Sequence, residues 1–228
     1  MKEFVVGILV AAGLSGPAVA QTYSEMTDAR DALVAGDIET AFAVIEPAAE
    51  AGHPRALNLL GAAYKDGIGV AQDAVRARDL FEEAAKSGYG PALFNLGLLY
   101  STGGPGLAAD LDLARDWHLK GVEADYPASM GAFAQFMLRE GRMDEWPLIL
   151  DALERGVVLG DPKSLVILGI LTRRGDVVDA DPERARDLLH AAALLRERQA
   201  QAALAEMMET GEGGPEDEVG SRSCSGAA

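Results

Sequence analysis

Apolar residues recur along the chain with the spacing of one helix face, and glycines interrupt them at regular intervals. In ALNLLGAAYKDGIGV, from Ala56 to Val70, the apolar positions follow this helical spacing until Gly67. A second apolar segment begins after Asp73 and ends at Gly88. The pattern therefore predicts a helix, a glycine turn, a second helix and a glycine stop.

This helix–turn–helix unit repeats along the chain. Its glycine–tyrosine–glycine positions recur 36 residues later, and a more distant copy keeps both glycines but has threonine in place of tyrosine. An aspartate precedes three of the second helices, where a helix needs an N-cap. Self-similarity at this period is typical of helical repeat arrays. The recurring residues are Gly61, Tyr64 and Gly67, then Gly97, Tyr100 and Gly103, then Gly169, Thr172 and Gly175, with the aspartates Asp73, Asp110 and Asp181.

A glycine-rich loop such as the one at Gly67 and Gly69 can also cradle a phosphate. A phosphate-binding loop needs a strand before the glycines, and a Walker motif ends in lysine followed by serine or threonine. Here helices are predicted on both sides, and no lysine follows the last glycine. We therefore interpret these glycines as the turns of a repeating scaffold.

These residues resemble the Sel-one-like repeat, a relative of the tetratricopeptide repeat. The pattern A-x4-G-x2-Y-x2-G-x-G-V-x2-D-x3-A-x2-W-x6-A-x3-G is met closely from Ala56 to Gly88, and with one inserted residue from Ala92 to Gly121. The resemblance covers about residues 24–211. It implies an all-α fold, a right-handed α-solenoid of antiparallel helix pairs, that serves as a platform for protein complexes. Bacterial members of the family are often exported.

The third unit departs from this pattern. Phe133, Phe136 and Arg139 occupy the positions where glycine, tyrosine and glycine are expected. Trp146 begins the second helix without a capping aspartate in frame. Because Phe133 is bulky, we expect it to push the adjacent helices apart and to change the curvature of the solenoid at this point.

The first twenty residues have the features of a signal peptide. Lys2 precedes an apolar run from Phe4 to Leu14, and Ala18 and Ala20 provide small residues for a signal peptidase. The alternative is a retained anchor, but the apolar run is shorter than the roughly 20 residues that span a bilayer. The pattern predicts cleavage after Ala20 and a periplasmic or secreted protein without stable membrane insertion.

The remainder of the chain divides into two parts. Residues 21–211 are predicted to form the solenoid, and residues 212–228 are predicted to be a disordered tail because they are rich in glycine, serine and acidic residues. The single cysteine, Cys224, lies in this tail, so no internal disulfide is possible.

Composition and motifs narrow the class of function. The chain has 36 acidic and 20 basic residues, a net charge of −16, which disfavours binding to nucleic acid. The three histidines, His53, His118 and His190, lack the spacing of a metal site, and no G-x-S-x-G or CxxC motif occurs. No catalytic, metal or cofactor site is predicted. The expected partner is therefore a protein or peptide, with a cell-wall-related enzyme or accessory, or a self-associating structural protein, as alternatives.

Helical geometry suggests where a partner would bind. At 3.6 residues per turn, a set of positions on each first helix lies opposite the small-residue packing face. In related solenoids the first helices line the concave side, so these residues form a groove, unless they pack in the core against neighbouring first helices. The candidate protein-binding residues are Asn58, Phe94, Asn95, Leu98, Met130, Met137, Ile170, Arg173 and Arg174.

Overall fold

The computed structural model describes residues 17–214, with side chains from residue 24 onward. Within that range the chain forms eleven α-helices, one 3₁₀ turn and no strand. The predicted signal peptide, except for its last four residues, and the tail from residue 215 lie outside the described residues. The helices are α1 Pro17–Ala35, α2 Ile38–Glu50, α3 Pro54–Asp66, α4 Ala74–Ala85, α5 Gly90–Thr102, α6 Leu111–Glu123, α7 Pro127–Arg139, α8 Trp146–Val158, α9 Pro162–Arg174, α10 Pro182–Leu194 and α11 Arg198–Thr210, with the 3₁₀ turn Met143–Glu145 before α8.

The helices stack as consecutive antiparallel pairs. α1 packs with α2, α3 with α4, α5 with α6, α7 with α8, and α9 with α10, while α11 is the first helix of a last unit. Each first helix also contacts the first helix of the next unit. Packing only between neighbouring units defines an α-solenoid. The predicted all-α fold class is therefore confirmed.

The second helices begin at the predicted caps. The side chain of Asp73 accepts a hydrogen bond from the backbone N–H of Arg76 at 2.9 Å. Asp110 accepts one from the N–H of Leu113 at 3.0 Å, and Asp181 accepts one from the third residue of α10 at 2.9 Å. Each bond satisfies a backbone N–H that has no partner within the helix.

The repeat glycines allow the two helices of a unit to approach closely. A Cβ atom at Gly61 would lie 2.7 Å from the ring of Phe81, and one at Gly169 would lie 2.9 Å from Leu189. Gly67 ends α3 in the left-handed region, with φ of 72°, where glycine is favoured. The glycines are therefore turn and contact residues, as the repeat predicts.

The third unit is packed differently from the others. α7 packs less closely on α8 than α5 packs on α6 or α9 packs on α10. It also lies directly against α9. Phe133 is completely buried. A Cβ at Gly131 would contact the carboxylate of Asp161 and would lie 2.8 Å from the backbone nitrogen of Ser164. Gly131 therefore permits α7 to reach the N-terminal end of α9.

Candidate protein-binding site

A recess of about 570 Å³ lies along the N-terminal ends of successive first helices. Its described lining residues lie on α1, α3 and α5 or immediately precede α3, α5 and α7. We call it the N-terminal recess. Its lining residues are Arg30, His53, Pro54, Arg55, Asn58, Leu59, Tyr89, Pro91 and Tyr126.

One end of the N-terminal recess carries basic side chains. Arg30 forms an ion pair with Asp31 at 2.7 Å, and Arg55 Nη2 donates to Thr27 Oγ1 at 3.0 Å. His53 Nδ1 is buried, and no hydrogen-bond partner for it is found among the described residues. Among the described residues that line the recess, two are arginines and none is acidic, although acidic residues greatly outnumber basic ones in the whole chain.

The other end of the N-terminal recess is aromatic. Tyr126 forms an edge-to-face contact with Phe94, with ring centroids 6.1 Å apart. Gly90 at the start of α5 makes room for Tyr126, because a Cβ there would lie 2.7 Å from the tyrosine side chain. Burial raises the pKa of Tyr126, so its phenol stays protonated at neutral pH. This end therefore offers apolar ring surface and an uncharged hydroxyl.

Two asparagines connect α3 and α5 beside the recess. Asn95 Nδ2 donates to Asn58 Oδ1 at 2.9 Å. A side-chain amide carries two donors and an oxygen that accepts two hydrogen bonds. The bond between the two amides leaves the Asn58 N–H groups and the Asn95 oxygen for other partners. Such groups match the hydrogen-bonding needs of a peptide backbone.

The structure places seven of the nine predicted groove residues in two groups. Asn58, Phe94 and Asn95 lie at or beside the N-terminal recess, and Leu98 lies half-buried one turn further along α5. The second group lines a separate recess of about 440 Å³ between α9 and α11, which we call the C-terminal recess. That recess contains Ile170, Arg173 and Arg174, together with Ala203, Glu206 and Glu212.

Within the C-terminal recess, Arg173 is engaged by acidic side chains of the same chain. Its Nη1 lies 2.9 Å from the carboxylate of Glu206, and its Nε donates to Glu212 at 2.9 Å. The hydrogen bond from Arg173 lowers the pKa of Glu206. Arg174 is exposed. Arg173, on the first helix α9, thus binds the carboxylates of Glu206 and Glu212 of the same chain.

The structure contradicts the predicted protein-binding role of two residues. Met130 and Met137 on α7 are completely buried in the core and cannot contact a partner. The reason is the close packing of α7 on α9 at Gly131, which turns this side of α7 into an internal surface. The alternative of core packing is therefore the correct one at these two positions.

Three residues that open the recess lie just before the first helices, whereas the predicted groove residues all lie inside them. His53, Tyr89 and Tyr126 stand at the N-cap positions of α3, α5 and α7, and are spaced by 36 and 37 residues. Each is followed within two residues by a proline. That recurring ring-then-proline signal was available in the sequence. The positions of Arg30 and Arg55 beside these rings were not.

Apolar side chains are also exposed at two outer turns. Val158 and Leu159 follow one another at the end of α8, and Val158 is 84% exposed. Leu194 and Leu195 occupy the corresponding turn after α10, with Leu194 73% exposed. In the earlier units the corresponding residues are Lys86–Ser87 and Glu123–Ala124. We call the four apolar residues Val158, Leu159, Leu194 and Leu195 the outer apolar turns.

Two further features are absent from residues 17–214. In that range no group of three or more metal-binding side chains is close enough to hold a metal ion. No helix there is long and apolar enough to cross a membrane.

The stacked helix pairs and the recess along their first helices define a helical-repeat solenoid protein. A family model of the Sel1 repeat matches residues 54–89, 90–126, 162–196 and 198–221, and the chain belongs to the Sel1 repeat family. The matched ranges leave out residues 127–161, which contain the departures at Phe133, Phe136 and Arg139. Sel1 repeat proteins commonly mediate protein–protein interactions.

The solved structures that this chain is similar to have the same fold. The protective antigen c5321 of uropathogenic Escherichia coli matches with a TM-score of 0.78 and 22% identity, over 91% of this chain and 45% of the antigen. A Sel1 repeat protein from Oxalobacter formigenes matches with a TM-score of 0.74 and 24% identity, over 89% of this chain and 81% of that protein.

The curated relatives are longer proteins. An uncharacterised protein of Neisseria meningitidis serogroup B is 30% identical over 69% of this chain and 32% of its own length. The ERAD-associated E3 ubiquitin-protein ligase component HRD3A of Arabidopsis thaliana is 34% identical over 42% of this chain and 15% of its own. The chain therefore spans a third or less of these relatives.

Proposed function

We propose that this protein is an exported scaffold or regulator that binds a segment of a partner protein along the concave face of its solenoid. The N-terminal recess is the binding site in this proposal. Export is supported by the signal-peptide pattern of residues 1–20. The choice of a protein partner is supported by the Sel1 repeat family and by HRD3A, which is a component of an E3 ubiquitin-protein ligase.

One observation carries the choice of site. The N-terminal recess is a concave space of about 570 Å³ whose walls combine ring surface with a few polar groups. Sites that bind ligands or peptide segments have this composition, because apolar surface supplies affinity while the polar groups fix orientation. The Asn58–Asn95 pair adds amide groups beside the recess that match a peptide backbone.

Site-specific photo-crosslinking tests the proposal. Leu59 lines the recess, and replacing it with a photoreactive phenylalanine analogue places the crosslinker at the site without removing a polar group. Leu113, 40% exposed on the second helix α6, is the matched control position. After irradiation of cells, we expect a covalent adduct with a partner from position 59 and none with that partner from position 113.

The outcomes of this experiment are distinct. Mass spectrometry of the adduct identifies the partner and the crosslinked peptide. The same adduct from both positions would contradict binding at the recess. A partner that crosslinks from position 113 and never from position 59 would contradict it as well. In that case the outer apolar turns, which are the other exposed apolar surface described above, become the next surface to test.

A further inference from the structure

Within residues 17–214, five turns join the second helix of one unit to the first helix of the next. The residue just before each first helix's N-cap has left-handed backbone, with φ from 53° to 79°. Glycine adopts this conformation without strain and occupies three of the five positions. The α6–α7 turn has an aspartate there, and the α10–α11 turn has an arginine. The five residues are Gly52, Gly88, Asp125, Gly160 and Arg196.

Arg196 is the unusual member of this set. Aspartate tolerates left-handed backbone because its short side chain hydrogen-bonds locally, but arginine has no such compensation. Strained residues of this kind are found where the side chain has a function. Arg196 is exposed, and no ion pair of its guanidinium is found within residues 24–214. The α10–α11 turn therefore holds a basic side chain in solvent at some cost in backbone strain.

The outer apolar turns lie beside this position and its equivalent one unit earlier. Leu194 and Leu195 directly precede Arg196, while Val158 and Leu159 directly precede the glycine of the α8–α9 turn. That turn borders a recess of about 470 Å³, which we call the turn recess. Exposed apolar side chains beside a concave space mark an interaction surface. The described residues that line the turn recess are Asp125, Glu154, Arg155, Val158 and Leu159.

The charges along this edge of the solenoid are self-complementary. The α6–α7 turn, one unit before the α8–α9 turn, is acidic and contains Glu123 and Asp125. Asp125 is bound by Arg155, whereas Glu123 is exposed and has no ion pair within residues 24–214. The α10–α11 turn, one unit after the α8–α9 turn, carries Arg196. An acidic turn and a basic turn therefore flank a central apolar turn.

We propose that two copies of this protein form a two-fold symmetric dimer in which their α8–α9 turns meet at the axis. A two-fold interface uses the same surface on both copies, so the α6–α7 turn of each copy faces the α10–α11 turn of the other. Leu194 and Leu195 of one copy then enter the turn recess of the second copy, and Arg196 faces Glu123 of the second copy. The turn recess shares no described lining residue with the N-terminal recess, so this inference goes beyond the function proposed above.

The arrangement of these features favours a second copy over a lipid surface or an unrelated protein. One edge of the chain supplies both the exposed leucines and a recess for them, and both the arginine and a carboxylate for it. Each contact is made twice in a two-fold dimer. The net charge of −16 disfavours an anionic lipid surface, and it also makes two copies repel each other. An arginine at the interface reduces that repulsion, which gives the strained Arg196 a role.

Analytical ultracentrifugation of the full-length protein tests this inference. A reducing agent is present throughout, so that Cys224 cannot link two chains. We expect the dimer fraction to rise with protein concentration. Leu194→Ser and Val158→Ser should each raise the dimer dissociation constant about ten-fold or more, because each removes apolar surface that the dimer buries. Val34→Ser is the matched control, since Val34 is as exposed as Val158 but lies near the end of α1.

A charge exchange tests the pairing of the two outer turns. Arg196→Glu and Glu123→Arg should each weaken the dimer about ten-fold, because each places like charges together at two symmetric contacts. The double variant restores opposite charges at both contacts and should dimerise nearly as tightly as the parent. Both side chains are exposed, so the monomer should remain folded, and thermal melts verify this for every variant.

Four results would overturn the inference. The first is a parent protein that stays monomeric at every concentration measured. The second is a dimer that neither Leu194→Ser nor Val158→Ser weakens, and the third is a double charge variant that associates no better than the single ones. The fourth is a monomer that floats with phosphatidylcholine vesicles and loses this binding in Leu194→Ser, which would assign the outer apolar turns to a lipid surface.

Discussion

Gly97 on α5 lies so close to His118 on α6 that a Cβ atom at position 97 would be 2.5 Å from the imidazole Nδ1. His118 is only 1% exposed, and its ring also lies against Phe136, with centroids 5.5 Å apart. The imidazole therefore has little space to move away. We predict that Gly97→Ala lowers the free energy of unfolding by about 1–3 kcal/mol, the usual cost of overpacking, as measured by urea denaturation.

A double-mutant cycle separates this clash from other effects of removing a glycine. His118→Ala vacates the volume that the methyl group of Gly97→Ala needs, so the double variant should be more stable than the sum of the two changes implies, by at least about 1 kcal/mol. Gly88→Ala is the control, because Gly88 has a φ of 73° and open space around it. It should lose stability through backbone strain but show no coupling to His118→Ala. Additivity for the Gly97 pair would contradict the predicted contact.

His118 should also make stability depend on pH. Burial lowers its pKa from 6.5 to about 4, and repulsion from Lys163 and Arg139 adds to the effect. Between these two pH values the unfolded chain binds a proton that the folded protein does not. Stability therefore falls as pH falls from about 6.5 to about 4, by about 3 kcal/mol in total.

Chemical denaturation at several pH values measures this effect. In His118→Leu the imidazole is absent, so the part of the pH dependence that comes from it should disappear. The difference in unfolding free energy between the variant and the parent should change by about 3 kcal/mol between pH 7 and pH 4, in favour of the variant at low pH. A constant difference across this range would show that His118 titrates alike in both states.

The local features of the repeat were predictable because short-range rules determine them. Asp73 caps α4 and Gly67 ends α3 through interactions within a few residues, so the sequence pattern alone identifies both. Gly61 recurs in frame along the chain, and in the structure it is the point of close contact with Phe81. The same reasoning correctly predicts that α8 begins at Trp146 without a side-chain cap.

The candidate binding site was harder to predict because it depends on contacts between units. The predicted groove requires every first helix to present the same face to its neighbours. Gly131 breaks this rule by letting α7 pack on α9, which buries Met130 and Met137. The approach of Arg30 on α1 to Arg55 on α3 likewise depends on how two units are stacked. Neither relationship leaves a periodic signal in the chain.

The signal-peptide hypothesis makes a separate prediction about processing. Ala20→Arg should block cleavage, because signal peptidase requires a small residue at this position, whereas Ala20→Ser should still be processed. N-terminal sequencing of the protein from the periplasmic fraction checks the result. We expect the parent and the serine variant to begin at Gln21. A parent protein that still begins at Met1 would contradict cleavage after Ala20.

Leu98 and Met130 provide a matched test of the concave face, because the same substitution should have opposite effects at the two positions. Met130 is completely buried, so Met130→Glu places an unpaired charge in the core. We expect a cost of several kcal/mol and a fall in melting temperature of about 10 °C or more. Leu98 is half-buried on α5, so Leu98→Glu keeps its carboxylate hydrated and should change stability by about 1 kcal/mol or less.

If the concave face binds the partner, Leu98→Glu should also reduce crosslinking at position 59 in a protein that melts normally. A normal melt with undiminished crosslinking would confine the binding surface to the N-terminal ends of the first helices. A collapse of both variants would place Leu98 in the core beside Met130.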